Sequence, residues 1–381
     1  MYISKISNLQ HRENSLNKDR HLKKFESIST WNSVKNFFKT VKVAIIPRIN
    51  FAGSLVGKTK TIKISLKDFA PHIVHPNKQF VYNFLTKDSP PSEIVYISKK
   101  SLNIKEEQHL AKKQVFAAPL LRIKQCTGGF TYDTSTQNTK HWTANFADSH
   151  LFGFCEGPLL AQDELQVLEH PGIYHLKTAL TALPNFRVIK PKQAALIENI
   201  YRQGILDAQK PLSSGKTLYG NTFAFASKTE ILSRLQKKTA SSSNIVAMAA
   251  PHIPYYLEGQ PYQRKHLEEL FYTAYTAFSA IAEKSQLQKN VIHTGNWGAG
   301  AFGNDPKVVA LIQIVAARLA GIDEMRYYPM NSHQEFEQAQ KLLFDIEQIH
   351  QGQNFTVDDF LSYLASNSKN HRLFYGKGNG T

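Results

Sequence analysis

The sequence predicts an α/β fold: a mixed central sheet covered by helices on both faces. Two observations carry this. Strand-like and helix-like stretches alternate through the C-terminal two thirds of the chain, the pattern of a sheet with helices packed on it. Residues 290–319 read as strand, glycine-rich loop and helix in close succession. Val291 and Ile292 end a strand. Gly295, Gly298, Gly300 and Gly303 then let the backbone turn tightly. Asp305 is a good N-cap, Pro306 fits the first helical position, and Val308, Val309, Leu311, Ile312, Val315 and Leu319 recur at helical spacing. With 381 residues the chain can bury a large core.

The remaining elements follow in order. Phe25, Ile28, Trp31, Val34, Phe37 and Phe38 form a loose helical stripe, which predicts an N-terminal helix after a frayed, basic end. Val41–Ile46 is a short apolar run, and Thr59–Leu66 alternates as a strand does. Ile94–Ile97 is strand-like, within accessory structure over residues 75–115. Leu120–Cys126, Phe130–Tyr132 and Trp142–Phe146 read as strands, and Leu160–Leu168 as a helix stopping before Pro171. Leu196, Ile197, Ile200, Tyr201 and Ile205 predict an amphipathic helix over 192–206. Thr229–Lys237 reads as another helix and Asn244–Ala250 as a buried strand. A long helix follows over 263–284. After the glycine-rich loop and its helix come a strand at Met325–Tyr328 and helices near 333–349 and 357–365, with a disordered polar tail over Gly376–Thr381. There is no internal repeat.

The net charge of +16 and a pI near 9.6 point to an anionic partner: a nucleic acid, a nucleotide-bearing ligand or a membrane surface. No basic run of five or more residues marks a nucleic-acid tail, and no nucleic-acid motif is present, so no specific nucleic-acid partner is expected. Cys126 and Cys155 are the only cysteines, which argues against a disulfide framework and a cysteine-rich zinc site. HExxH and CxxC are both missing. No apolar run spans a bilayer and no signal pattern opens the chain, so the expectation is a soluble, cytosolic protein without a membrane partner.

Two stretches carry chemistry. Residues 293–305 place a glycine-rich loop at the end of a strand, where ligands of open α/β sheets bind, and the free N–H groups of a following helix favour phosphate. A tight structural turn is the alternative. The second stretch holds Asn145, Phe146, Ala147 and Asp148, then Phe152-Gly153-Phe154, then Gln162-Asp163-Glu164. A partly desolvated carboxyl beside an anionic ligand has a raised pKa, which suits a general acid. Acidic residues favoured by the helix dipole are the alternative.

Together these stretches resemble the catalytic region of the poly(ADP-ribose) glycohydrolases, a macrodomain family. The family's Gly-Asn-Trp-Gly-x-Gly-Ala-Phe-Gly-x-Asp is matched by residues 295–305. Its Val-Asp-Phe-Ala-Asn strand is matched by Ala144–Asp148, its triple-glycine loop by Phe152–Phe154 and its Gln-Glu-Glu helix start by Gln162–Glu164. The similarity spans residues 115–345. It implies a three-layer macrodomain over 111–350, preceded by an accessory region over 1–110 and followed by a helix and polar tail over 351–381.

The resemblance also implies roles. Glu164 is the acid/base at the scissile ribose, and Asp163 holds the distal ribose. The loop through Gly295, Asn296, Trp297, Gly298, Ala299, Gly300, Ala301 and Phe302 wraps the diphosphate. Asn145, Asp148, Gly153 and Gln162 line the ligand, and Tyr219 or Phe223 stacks on adenine. No metal or cofactor is required. The partners implied are ADP-ribose and an ADP-ribosylated protein. Three departures stand out: two phenylalanines replace family glycines, the strand Asp and Asn are exchanged as Asn145 and Asp148, and Asp163 is shortened from Glu. These favour removal of single ADP-ribose groups from protein, as in divergent macrodomains that include effectors delivered into host cells, over polymer cleavage. A non-catalytic ADP-ribose reader is the alternative.

Overall fold

In a computed structural model, residues 45–47 and 60–378 are described. The N-terminal helix expected over Phe25–Phe38 lies outside them. The strands are β1 (Ile45–Pro47), β2 (Lys60–Ser65), β3 (Ile94–Ser101), β4 (Arg122–Gln125), β5 (Thr139–Ala147), β6 (Gln193–Leu206), β7 (Leu235–Ala249), β8 (Lys289–Gly295) and β9 (Glu324–Tyr328). They form one sheet in the order β1-β2-β3-β6-β7-β5-β8-β9-β4. From β7 to β4 the neighbours pair in parallel. From β1 to β7 they pair antiparallel. The helices are α1 (Pro76–Thr86), α2 (Ile104–Ala111), α3 (Gln162–Glu169), α4 (Gly172–Thr181), α5 (Pro184–Arg187), α6 (Lys228–Leu232), α7 (Arg264–Lys284), α8 (Pro306–Ala320), α9 (His333–Ile349) and α10 (Val357–Ser366).

Two helical layers cover the sheet. Trp142 and Ala144 of β5, Met248 of β7 and Ile292 of β8 share one buried cluster with Leu270, Phe271 and Phe278 of α7 and Leu311 and Val315 of α8. Side chains alternate along a strand, so His141, Thr143, Asn145 and His293 face the opposite layer, where α1, α3 and α4 pack on β6. The apolar stripes of α7 and α8 explain their docking. Asp305 caps α8 by accepting from Val308 N at 3.0 Å, with Pro306 at the first position.

Three expectations change. Residues 192–206 form the central strand β6 rather than an amphipathic helix. Its pairing with β7 breaks register between Glu198 and Ile200 and again between Arg202 and Gly204. The extra residue Asn199 at the first break shifts the alternation of β6, so apolar positions recur at intervals of three and four, imitating a helix; at the second break the surplus lies on β7. The helix expected over Thr229–Lys237 stops at Leu232, and β7 begins at Leu235. Phe130–Tyr132 is an irregular segment rather than a strand. Beyond Pro171 a further helix, α4, was not anticipated. The regions on either side of the expected macrodomain join the same body: β2 and β3 extend the sheet, and Val357, Phe360 and Leu361 of α10 enter the same core as Trp142.

Candidate functional site

The site is built where β5, β7 and β8 end. β8 pairs with β5 only as far as Thr143–His293, while β7 continues to Ala147–Ala249. The freed edge of β5 is taken by a side chain. Gln162 donates to Ala144 O at 3.2 Å and accepts from Phe146 N at 2.9 Å, standing in for a strand. This locks the first turn of α3 to the end of β5.

That turn carries the two acids, both buried: Asp163 is 7% exposed and Glu164 3%. Glu164 Oε2 accepts from Ala161 N at 2.9 Å, which fixes one carboxylate oxygen at the helix start. Asp163 Oδ1 accepts from Asn145 Nδ2 at 2.7 Å, and the same amide donates to Gln166 Oε1 at 2.8 Å. Burial, followed by the charge of Glu164, pushes the Asp163 carboxyl up to about 7. Asp163 therefore keeps its proton well above the pH at which an exposed carboxyl loses it. Asn145 Oδ1 and Gln166 Nε2, both buried, have no hydrogen-bond partner among the described residues.

A second layer supplies positive charge. Lys78 on α1 is completely buried, and its Nζ has no hydrogen-bond partner among the described residues. Desolvation lowers its pKa to about 8, against the pull of Glu164, Cys155 and Asp163. Lys177 pairs with Glu156 at 2.8 Å beside it. Cys155 is pushed up to about 12 by burial and stays a thiol. Nothing in the sequence around Lys78 marks it: a lysine in a short helix reads as a solvated face, and only the packing of α1 on α3 brings it here.

The glycine-rich loop closes the other side of the rim. Trp297 is fully buried and donates from Nε1 to Met248 O at 3.0 Å, so it anchors the loop to β7 rather than facing outward. Asn304 Nδ2 donates to Pro251 O at 2.9 Å and Gly298 O at 3.1 Å. Asn296 Nδ2 donates to Pro329 O at 2.7 Å. Gly298 has φ +72°, and a Cβ there would lie 2.3 Å from the Ala250 Cβ. A Cβ on Gly295 would meet Tyr328 O at 2.5 Å. Among the described residues, the N–H groups of Gly300, Ala301 and Phe302 donate to no protein acceptor. Ala299 and Phe302 pack partly buried against the core, and the Phe302 ring lies 5.8 Å from that of His252. The tail expected to be disordered is described to residue 378, and Gly376 and Gly378 lie against Ala301–Asn304.

Other expected residues are placed as follows. Phe152 adopts φ +57° and is fully buried, so its ring is turned inward. Phe154 is 61% exposed. Gly153 N donates to His150 O at 2.8 Å, and Asp148 Oδ1 accepts from His150 N at 2.9 Å, so both shape this turn. Tyr219 is held beside α3 because Gly220 and Leu160 exchange backbone hydrogen bonds of 2.8 and 3.2 Å. Burial and then the Glu164 charge raise its phenol pKa, and the Gln162 backbone opposes the rise. The Tyr219 hydroxyl thus feels the start of α3. Phe223 is fully buried, 6.2 Å from the His75 ring, with no face open to a ligand.

Residues 208–337 match a family model described as poly(ADP-ribose) glycohydrolase (PARG), macro domain fold. The match takes in β7, α7, β8, the glycine-rich loop and α8, and leaves out Asn145 and Gln162–Glu164. Similar solved structures include a variant of the poly(ADP-ribose) glycohydrolase from Thermomonospora curvata. It is 14% identical with a TM-score of 0.42, over 69% of this chain and 98% of that one. The Deinococcus radiodurans poly(ADP-ribose) glycohydrolase in complex with ADP-ribose is 14% identical with a TM-score of 0.40, over 69% and 97%. An Oceanobacillus iheyensis macrodomain variant is 11% identical with a TM-score of 0.34, over 59% and 93%.

Proposed function

We propose, on the match of residues 208–337 to the poly(ADP-ribose) glycohydrolase family model, that the chain hydrolyses the glycosidic bond of ADP-ribosyl groups on protein. The observation that carries this is the buried Asp163–Glu164 pair, set at the end of β5 on the same rim as the glycine-rich loop at the end of β8. The diphosphate lies on the N–H groups of Gly300, Ala301 and Phe302, which bind an anion through backbone dipoles. This delivers the ribose to the acid pair.

Glu164 is the acid/base. Its Oε2 is fixed by Ala161 N, leaving the other oxygen for the substrate. The bond from the anomeric carbon to the protein side chain breaks as the proton held by the pair passes to the departing atom, and an oxocarbenium-like centre forms. Water adds to that carbon and gives its proton back to Glu164. Asp163 and Asn145 hold ribose hydroxyls, and Tyr219 orders the same end of the cleft.

Release of single ADP-ribose groups is preferred over chain cleavage. Phe154 stands exposed where the family has small residues, and a bulky rim suits a terminal group better than a threaded polymer. The test is incubation with proteins carrying mono- or poly-ADP-ribose, with free ADP-ribose measured. Release from the mono-modified protein is expected. Tight ADP-ribose binding with every substrate left intact would instead establish a reader.

A further inference from the structure

A second cluster lies on the same face of the sheet, deeper along β5 and β8. Asp133, His141 and His293 each offer a ligand atom, and these atoms all lie within 4.8 Å of one another. His141 Nδ1 and His293 Nε2 are 3.1 Å apart. Two nitrogens bound to one tetrahedral zinc at about 2.0–2.1 Å stand roughly 3.3 Å apart, so the imidazoles are already at ligand spacing.

Neighbouring side chains orient all three groups. His293 Nδ1 is 3.2 Å from the Tyr328 hydroxyl, which orients the ring with Nε2 toward His141. Asp133 is held through Oδ2 by Arg326, and a carboxylate has further lone pairs to offer. Arg326 also donates to Glu324 at 2.8 Å, so it is shared between two carboxylates. Register explains the meeting: Thr143 pairs with His293, which brings His141, two residues earlier on the same face, diagonally against it. His293 is fully buried, while His141 and Asp133 are half-buried, leaving a route for an ion.

We propose that Asp133, His141 and His293 bind a divalent transition-metal ion of the zinc type. Two imidazoles and one carboxylate suit such an ion and leave a fourth position for water. The ion ties the irregular segment through Phe130 and Asp133 to the sheet. Phe130 packs 5.0 Å from Tyr328 and 6.0 Å from Phe146, so the site braces the flank of the ligand cleft without entering the hydrolysis.

The test uses the untagged full chain, stripped with chelator and titrated with Zn²⁺ by calorimetry, with thermal unfolding followed in parallel. One ion per chain and a raised Tm are expected, and Co²⁺ should give the visible absorption of a tetrahedral site. Asp133→Asn and His141→Ala, both at half-buried positions, should each weaken binding by about 100-fold or more. No Zn²⁺ binding by the wild-type chain overturns the proposal. So does binding of unchanged affinity in both variants, which would place the ion on other histidines.

Discussion

The Asn145 side-chain amide donates at 2.7 Å to Asp163 Oδ1, joining the end of β5 to the first turn of α3. The contact puts a neutral donor against one of two adjacent buried acids. Asn145→Asp removes that donor and sets a third carboxyl beside the pair. The variant should lose about 2–3 kcal/mol of stability near neutral pH. The loss should deepen between pH 5 and 8 as the added group is forced to ionise. Urea unfolding at both pH values checks this.

Asp163 has its own pH signature. Its folded pKa, about 7, lies above the ordinary carboxylate value. The folded state therefore holds a proton that the unfolded chain releases between about pH 4 and 7, and stability falls as pH rises through that window. Asp163→Asn should flatten this dependence, by an amount on the order of 1 kcal/mol per pH unit. Identical pH profiles for wild type and variant would show that the pair does not hold a proton.

Lys78 works in the opposite range. Its folded pKa of about 8 lies below the usual lysine value. Burial costs stability that is fully present above the unfolded pKa near 10.5 and is lost as pH falls toward 8. Lys78→Met should be more stable than wild type at pH 7, with the gap closing between pH 8 and 10.5. Without the cation, Asp163 should hold its proton more tightly, and the acid limb of any pH–rate profile should move to higher pH.

Gly298→Ala tests the loop. The positive φ and a Cβ 2.3 Å from Ala250 leave no room for a methyl group. A cost of about 1–3 kcal/mol is expected from strain and overpacking. Under the proposed function, ADP-ribose affinity falls at least tenfold. A variant with wild-type Tm and affinity would mean that the turn is not tightly held.

What could be read from the sequence was local. The loop at 295–305 and α8 are specified by neighbouring glycines, Asp305 and Pro306, and they fold as expected. The helix start at Gln162–Glu164 was legible for the same reason. β6 was misread because the bulge at Asn199 gave a strand the spacing of a helix. Lys78 was invisible because its burial depends on α1 docking onto α3, far along the chain. Phe152 was read as standing in place of a glycine, and it takes up the left-handed backbone itself and turns its ring inward. His141 and His293 meet only through the pairing of β5 with β8, 152 residues apart in sequence, so no local motif could join them.

The central claim is that Glu164 breaks the glycosidic bond while the glycine-rich loop holds the ligand. It is tested most directly by comparing wild type with Glu164→Gln on a mono-ADP-ribosylated protein, measuring released ADP-ribose and, separately, ADP-ribose affinity. The expected result is a loss of release by about 10²–10⁴-fold with affinity nearly unchanged. Release at the wild-type rate by Glu164→Gln would contradict the account.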